Sequence, residues 1–277
     1  MKRCAVLLKA AFAVFRFRVV QLFHRDLGGA GHPPLVILHG LLGSSRNWQT
    51  AGRDLASRFH VFALDLRNHG TSPHDDDMGF DAMIADVIGW LDARALPRVT
   101  LLGHSLGGKV AMRLAAQHPS RIERLIIVDI APKDYRWAAH RAEFAAMNEL
   151  NLEHLKSRAE AELRFEARVD DWAMRKFLVT NLERDHASGR WRWAINLPVL
   201  TEALPKMEAN SLAPDDRFDG PTLFVTGERS HYVQSEDHAT IRRHFPHAEF
   251  VGVPGAGHNP HMDRREEFVA VVTAFAR

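Results

Sequence analysis

Residues 101–108 read Leu-Leu-Gly-His-Ser-Leu-Gly-Gly, which places Ser105 in the frame G-x-S-x-G. The apolar run 99–102 precedes this frame, and a helix-like pattern follows it. A serine in this setting can occupy a sharp strand-to-helix turn that exposes its hydroxyl group. Gly103 and Gly107 flank the turn, where a Cβ atom would collide with neighbouring backbone. Because a serine hydroxyl is a weak nucleophile alone, the motif predicts a histidine and a carboxylate elsewhere in the chain.

The composition of the 277-residue chain limits the classes of function. A formal net charge of +2 gives no electrostatic reason to expect a nucleic-acid partner. Cys4 is the only cysteine, so an intramolecular disulfide and a cysteine-based metal site are excluded. The length fits a single large α/β domain.

The first 18 residues are basic and apolar and contain no acidic residue. Lys9 interrupts the apolar stretch, which is too short for a membrane span. We therefore predict an N-terminal extension over residues 1–18, no stable membrane span and a cytoplasmic location. The alternatives are a transit peptide, which would indicate a mitochondrial protein, and a signal peptide, which would indicate an exported one.

Short apolar runs alternate with helix-like runs over most of the chain. This alternation favours an α/β fold with a doubly wound, mainly parallel sheet. Residues 106–118 predict a helix that Pro119 stops, and Asp263 with Glu266 resembles a capping box for a final helix through Phe275. Strands are predicted at residues 19–27, 35–38, 61–64, 99–102, 125–128, 222–226 and 249–253.

The alternation fails between residues 131 and 216, where the sequence is charged and typical of helices. We predict a helical cap over residues 132–216, inserted after the strand that ends at Asp129. The core then comprises residues 19–131 and 217–277. Trp191 and Trp193 lie in the predicted cap, where they either pack or line a pocket under it.

Among the 17 histidines, the setting of His258 favours it as the partner of Ser105. An apolar strand runs into Gly-Ala-Gly-His258, and a helix follows, so the imidazole lies on a loop at the carboxyl end of a strand. In open α/β sheets, sites form along that edge. His261, three residues later, is the rival and is expected at the rim of the site.

The carboxylate has two possible settings. Asp129 directly follows four apolar residues, at the carboxyl end of a predicted strand. After the next strand no aspartate is found, and Ser230 stands about where one is expected. Asp129 is therefore favoured, with Glu228 and Asp237 as alternatives. The acid would fix the imidazole tautomer and stabilise the imidazolium.

Structural roles are expected for most of the polar loop 65–72 and for His39. Asp65 and Arg67 are expected to hold loops together through hydrogen bonds, and His39 to bond its own loop. For Asn68 and His69, contact with a substrate is the alternative to a structural role.

Two other classes of function fit parts of the sequence. Residues 103–109 match most of a phosphate-binding loop, but Val110 stands where the motif needs serine or threonine for Mg²⁺. A non-catalytic ligand-binding module on a hydrolase scaffold is the other alternative, and it predicts little turnover of esters.

Over residues 19–275 the chain resembles the α/β-hydrolase-fold serine esterases, in particular the YbfF-type bacterial esterases and their mitochondrial abhydrolase relatives. In that group the triad acid is similar to Asp129. One departure is Asn259-Pro260 after His258, where a bulky residue is frequent. The runs that carry the resemblance are HGLLGSSRNW (39–48), DLRNHGTSP (65–73), GHSLGGK (103–109), VDIAPKDY (128–135), RWRWAINLPVL (190–200) and GAGH (255–258).

The resemblance implies a serine carboxylesterase with Ser105 as nucleophile, His258 as base and Asp129 as acid. The backbone amides of Leu41 and Leu106 would form the oxyanion hole. Small-molecule partners are implied, namely short-chain acyl esters or acyl-CoA thioesters, with no cofactor and no metal. Cofactor-free haloperoxidase chemistry (perhydrolysis) and carbon–carbon bond hydrolysis are alternatives on the same triad.

Overall fold

A largely parallel sheet forms the centre of the computed structural model, which describes residues 18–185 and 187–276. The strands of these residues are β1 (His24–Asp26), β2 (Pro34–Leu38), β3 (His60–Leu64), β4 (Val99–His104), β5 (Ile122–Val128), β6 (Leu182–Arg184), β7 (Trp191–Trp193), β8 (Thr222–Gly227) and β9 (Ala248–Val253). The main sheet has seven strands in the order β1-β3-β2-β4-β5-β8-β9. Among the described strands of this main sheet, only β1 is antiparallel to its neighbour. The predicted fold class is confirmed.

Helices cover both faces of the sheet. The helices of the described residues are α1 (Gln49–Leu55), α2 (Phe80–Ala93), α3 (Leu106–Gln117), α4 (Ala138–Glu149), α5 (Arg158–Phe165), α6 (Trp172–Val179), α7 (Leu197–Glu208), α8 (Asp237–His244), α9 (Pro260–Asp263) and α10 (Arg265–Phe275). Two short 3₁₀ turns, Ser45–Trp48 and Pro119–Arg121, precede α1 and β5. The predicted helix at 106–118 is thus present as α3.

Apolar side chains bury both faces of the sheet, as parallel strands require. On one face, Val110 and Leu114 of α3 pack with Val87 of α2. On the other face, Leu55 of α1 packs with Phe268 of α10. All five side chains are fully buried. This packing fixes the carboxyl ends of β4, β5 and β9 at one edge of the sheet, where ligand sites form.

The strand predicted at 19–27 is much shorter in the structure, because side chains bind the backbone of its first half. The N–H of Val20 donates to Asp86 at 2.7 Å, and the N–H of Phe23 donates to Ser72 Oγ at 2.8 Å. Residues 1–17, which carry most of the predicted N-terminal extension, lie outside the described residues. Within residues 18–185 and 187–276, no helix has the length and apolar character needed to cross a membrane.

The predicted capping box at the last helix is wrong. Asp263 ends α9 rather than starting α10, and its carboxylate accepts a hydrogen bond from the N–H of Gly257 at 2.8 Å. The following helix begins at Arg265 without a side-chain cap. Asp263 is thereby used to hold the loop that carries His258.

Residues 132–216 lie between β5 and β8 and are called the helical insertion here. They contain α4 to α7 and the antiparallel pair β6-β7. Trp191 and Trp193 belong to β7, are half-buried, and pack against the apolar core. Packing is therefore the structural role of both tryptophans.

Lys109 of α3 connects the sheet to the helical insertion. Its Nζ donates to the carbonyls of Met207, Glu208 and Ala209 at 3.0, 2.9 and 2.6 Å, where α7 ends. Burial lowers the pKa of its ammonium group to about 7. Because the Lys109 amine donates to these three carbonyls, it is not available to bind a phosphate. This contradicts the nucleotide-binding alternative.

Two polar residues hold the loop after β3, as predicted. The carboxylate of Asp65 accepts hydrogen bonds from the N–H groups of Ser45 and Thr71 at 2.6 and 2.8 Å. The buried guanidinium of Arg67 pairs with Asp86 at 2.6 Å. These contacts fix the loop that lies beside β2.

Candidate active site

Ser105 lies on a strained turn between β4 and α3. Its φ of 51° and ψ of −116° are unusual for a residue with a side chain. A Cβ on Gly107 would lie 2.3 Å from the carbonyl oxygen of Leu38, and one on Gly103 would lie 2.3 Å from that of Gly107. Only glycine permits this close approach, so the strand-to-helix turn predicted from the sequence is present.

Asp129 immediately follows β5, the strand next to β4 in the sheet, and its carboxylate is fully buried. One carboxylate oxygen accepts the N–H of Gly227 at 3.2 Å. The other accepts the hydroxyl of Ser230 and pairs with His258 Nδ1 at 2.7 Å. Three donors therefore hold this buried charge in one orientation.

His258 lies on the loop after β9. Because the carboxylate of Asp129 accepts only, Nδ1 of His258 carries the hydrogen and the neutral ring has a lone pair on Nε2. The ring stacks on Tyr232 with centroids 3.7 Å apart. The His258 carbonyl accepts a hydrogen bond from His104 Nε2 at 2.8 Å, which fixes the backbone of the loop.

The two alternative acids, Glu228 and Asp237, bind other groups. Glu228 accepts a hydrogen bond from the N–H of Gly255 at 2.8 Å. Asp237 forms an ion pair with Lys133 at 2.5 Å. Both carboxylates are thus engaged away from the imidazole of His258, which pairs with Asp129.

His261 was expected at the rim, and this expectation is wrong. The residue is buried, and its ring stacks flat on Trp48 with centroids 4.0 Å apart and an interplanar angle of 7°. Burial lowers the pKa of the His261 imidazole to about 3. The ring therefore remains neutral and packs the inner wall of the site.

The loop after β2 presents backbone amides beside Ser105. His39 Nδ1 bonds the carbonyl of Gly40 at 2.8 Å, and Nε2 accepts the N–H of Leu66 at 3.0 Å, which is the structural role expected of His39. The N–H of Leu41 donates to no acceptor within the described part of the chain. Leu106 is the first residue of α3, where an N–H has no intrahelical carbonyl to bind.

The possible substrate contact by Asn68 and His69 is wrong. Both side chains are fully buried. Asn68 Nδ2 donates to the sulfur of Met78, and His69 Nδ1 bonds the carbonyl of Arg67 at 2.9 Å. Neither residue lines the cavity above Ser105.

A cavity of about 410 Å³ contains both Ser105 and His258 in its wall. The wall formed by the sheet and its loops is called the core wall here, and it includes Leu41 and Trp48. The wall formed by the helical insertion is called the insertion wall, and its described lining residues are Ala139, His140, Glu143, Asp171, Ala173, Met174 and Phe177.

The insertion wall has a histidine–carboxylate pair of its own. His140 Nδ1 lies 2.5 Å from Glu143 Oε2, three residues along α4, and both residues are buried. Among the residues described, no group of three or more histidine, cysteine, aspartate or glutamate side chains could hold a metal ion.

Residues 33–265 match the protein family described as alpha/beta hydrolase fold. The chain belongs to this family. The predicted hydrolase class and the predicted relationship are both confirmed.

Named relatives of this α/β hydrolase span almost its whole length. It is 39% identical over 257 residues to the mouse (Mus musculus) sn-1-specific diacylglycerol lipase ABHD11, covering 90% of this chain and 82% of the relative. It is 34% identical over 244 residues to esterase YbfF of Escherichia coli K12, covering 88% and 92%. A solved marine microorganism esterase aligns with a TM-score of 0.89 at 35% identity, covering 92% and 99%.

Several contacts of this α/β hydrolase have no clear signal in the sequence. Ser230 stands where an aspartate is expected, and no pattern indicates that its hydroxyl donates to Asp129. No motif marks Tyr232, whose ring stacks on His258. For the second pair, the spacing of His140 and Glu143 on one helical face is the signal that the sequence offers.

Proposed function

We propose that the protein is a serine carboxylesterase that hydrolyses small or short-chain acyl esters through Ser105, His258 and Asp129. One observation carries this proposal: the buried Asp129 carboxylate holds His258 Nδ1 at 2.7 Å in the cavity that also contains Ser105. This is the arrangement in which an imidazole can accept a serine proton while a carboxylate stabilises the resulting cation.

The reaction would proceed through an acyl-enzyme. Ser105 Oγ attacks the ester carbonyl while its proton passes to Nε2 of His258. The N–H groups of Leu41 and Leu106 stabilise the tetrahedral oxyanion, and each such donor is worth roughly 3 kcal/mol in the transition state. His258 then protonates the departing alcohol. A water molecule, deprotonated by His258, attacks the acyl-serine, and the acid leaves as Ser105 regains its proton.

The lining of the cavity supports uncharged acyl esters over acyl-CoA thioesters. Leu41, Trp48, Met174 and Phe177 supply apolar surface for an acyl chain. No lysine or arginine is found among the described lining residues, so the cavity itself offers no cation to a nucleotide phosphate. The relatives named diacylglycerol lipase and esterase agree with this class of substrate.

We also propose that the helical insertion (132–216) acts as a cap on a core formed by residues 19–131 and 217–277. Met174 and Phe177 of α6 contribute to the same cavity as Ser105. A wall that excludes water from an acyl-enzyme strengthens the electrostatic interactions within the site.

The test replaces the nucleophile. We expect Ser105→Ala to lower kcat for p-nitrophenyl butyrate by at least about 10⁴-fold, since removal of a triad member leaves only residual catalysis. The control is Ser235→Ala, at an exposed serine on another loop. Circular dichroism and thermal melting check that both variants remain folded. Activity of Ser105→Ala within tenfold of the parent enzyme would overturn the proposal.

A further inference from the structure

The chain has two tyrosines, and they use their hydroxyl groups differently. The Tyr135 hydroxyl accepts the N–H of Ala131 and donates to the carbonyl of Tyr232, both at 2.8 Å. The Tyr232 hydroxyl has no hydrogen-bond partner among the described residues, and its oxygen is not one of the fully enclosed atoms without a partner. Tyr232 therefore has a polar group that the protein does not use and that another molecule can reach.

The position of Tyr232 places this hydroxyl beside the proposed reaction. The residue lines the cavity that contains Ser105 and His258, and its ring stacks on the His258 imidazole with centroids 3.7 Å apart. The N–H of Tyr232 donates to Ser230 Oγ at 3.2 Å, and its carbonyl accepts the hydroxyl of Tyr135. These contacts fix the ring against the proposed base. A substrate whose carbonyl lies at Ser105 therefore has its neighbouring groups near the Tyr232 hydroxyl.

The surroundings of Tyr232 keep its hydroxyl protonated. Burial, together with the carboxylates of Glu143 and Asp129, raises the pKa of this phenol to about 12. Near neutral pH the group therefore retains its hydrogen and can donate it. Glu143 lines the cavity on the insertion wall, and its influence on the phenol indicates that the hydroxyl extends from the core wall toward that side of the cavity.

The partner that suits a protonated phenol is an acceptor oxygen. Carbonyl and ether oxygens accept hydrogen bonds, whereas a methylene group in the same place leaves the phenol unpaired. A site that presents a polar group to its substrate discriminates against an analogue that cannot pair with that group. Tyr232 can therefore select among esters by what lies next to the scissile group.

We propose that the Tyr232 hydroxyl donates a hydrogen bond to a second oxygen of the substrate, so that the preferred substrates are esters with an ether or carbonyl oxygen close to the scissile ester group. The inference rests on the proposed ester hydrolysis at Ser105 and names the class of ester that this site selects. The ring of Tyr232 would stay against His258 while its hydroxyl binds the substrate.

The experiment removes only the hydroxyl, with the variant Tyr232→Phe, because phenylalanine keeps the ring that stacks on His258. Two pairs of esters differ by an ether oxygen in place of a methylene group. They are 2-methoxyethyl butyrate against butyl butyrate, which tests the alcohol side, and ethyl 3-methoxypropanoate against ethyl pentanoate, which tests the acyl side. The ether-to-plain ratio of kcat/KM is measured for each pair in the parent enzyme and in the variant, so that the intrinsic reactivity of the esters cancels.

We expect this ratio to fall at least fivefold in Tyr232→Phe for at least one pair. A fivefold change corresponds to about 1 kcal/mol, which is the usual net value of one hydrogen bond. The pair that responds assigns the side of the substrate. A fall of less than fivefold in both pairs would overturn the inference. An equal loss of kcat/KM with every ester has the same meaning, since the hydroxyl would then act on the scissile ester itself.

The matched control is Tyr135→Phe, which removes the hydroxyl that the protein does use. Its ether-to-plain ratios are expected to match those of the parent enzyme. If Tyr135→Phe lowers a ratio as much as Tyr232→Phe does, the position of the loop controls the ratio and the inference fails.

The outcomes separate this inference from the proposed function. If circular dichroism shows that Tyr232→Phe is unfolded, Tyr232→Leu, which also lacks the hydroxyl, is measured against the same criterion. If Ser105→Ala still hydrolyses the plain esters, the proposed function fails. If Ser105 is required but both ratios fall less than fivefold, only the role assigned to the Tyr232 hydroxyl fails.

Discussion

The two walls of the cavity each contain a histidine paired with a carboxylate, but the surroundings of the pairs differ. On the core wall, Asp129 accepts from Gly227 and Ser230 in addition to His258. On the insertion wall, the hydrogen bond from His140 is the only one recorded at the Glu143 carboxylate among the described residues. A histidine–carboxylate pair alone does not identify a catalytic site. The added donors and the adjacent strained serine are the reasons for proposing catalysis at the first pair and not at the second.

The two pairs also depend on different parts of the chain. Asp129 and His258 are 129 residues apart, and the ends of β5 and β9 bring them together. The insertion pair spans a single helical turn of α4. The orientation of the core pair is thus fixed by the sheet. The orientation of the insertion pair depends on the position of α4 relative to the sheet.

The largest effect should come from changing the charge of the core pair. We expect Asp129→Asn to lower kcat/KM for p-nitrophenyl butyrate by about 10⁴-fold, because an amide favours the wrong imidazole tautomer. Steady-state kinetics on a variant with unchanged circular dichroism checks this expectation.

The matched control for that change is Glu228→Gln. The glutamine keeps an oxygen that can accept the N–H of Gly255, so kcat/KM should remain within about twofold of the parent value. If Glu228→Gln loses activity while Asp129→Asn retains it, the acid is Glu228, and the distinction between the two pairs needs another explanation.

A smaller effect should follow when the attachment of the insertion wall is weakened. Lys109 donates to the Glu208 carbonyl, and the Glu208 carboxylate accepts the N–H of Trp137 at 2.7 Å, just before α4. We expect Lys109→Met to lower the free energy of unfolding by about 3 kcal/mol, since it removes the Lys109 donor from the carbonyls of Met207 and Ala209. The Glu208 carbonyl loses one of its two donors and keeps the N–H of Tyr135 at 2.9 Å. Urea unfolding measures this loss.

The control for the lysine is Lys206→Met, at an exposed lysine of the same helix α7. A change within about 0.5 kcal/mol is expected there, as for surface positions in general. Hydrogen exchange should show faster opening near α4 and α7 in Lys109→Met than in the sheet. Equal stabilities of the two variants would show that Lys109 does not hold the insertion wall.

The core wall could be predicted from the sequence because its residues mark strand ends. Ser105, Asp129 and His258 each follow an apolar run, and parallel strands place such residues at one edge. The insertion wall could not be predicted in this way. The seating of α4 depends on contacts such as Lys109 with the Glu208 carbonyl, about 100 positions away, which no local pattern indicates.

Local signals failed where side chains replaced regular backbone contacts. The strand predicted at 19–27 is shortened because Asp86 and Ser72 bind its N–H groups. Asp263 was expected to cap the last helix, but its carboxylate binds the N–H of Gly257. In the first case, side chains distant in sequence bind the N–H groups that the local pattern assigns to a strand. In the second, a loop N–H binds the carboxylate that the local pattern assigns to a helix cap.

The smallest expected effect concerns His261, the core-wall histidine whose Nδ1 has no partner among the described residues. Burial lowers the pKa of the folded His261 imidazole to about 3, while the unfolded value is about 6.5. Between these values the unfolded chain binds a proton that the folded protein does not. The free energy of unfolding therefore falls as the pH drops from about 6.5 toward 3.

The variant His261→Phe removes this group while keeping an aromatic ring against Trp48. Between pH 7 and pH 5, we expect the parent protein to lose about 1–2 kcal/mol more stability than the variant, as measured by urea unfolding at both values. The other buried histidines remain in both proteins, so the difference isolates His261. Equal losses would mean that His261 takes up its proton in the folded state, and the neutral ring assigned to the core wall would then be wrong.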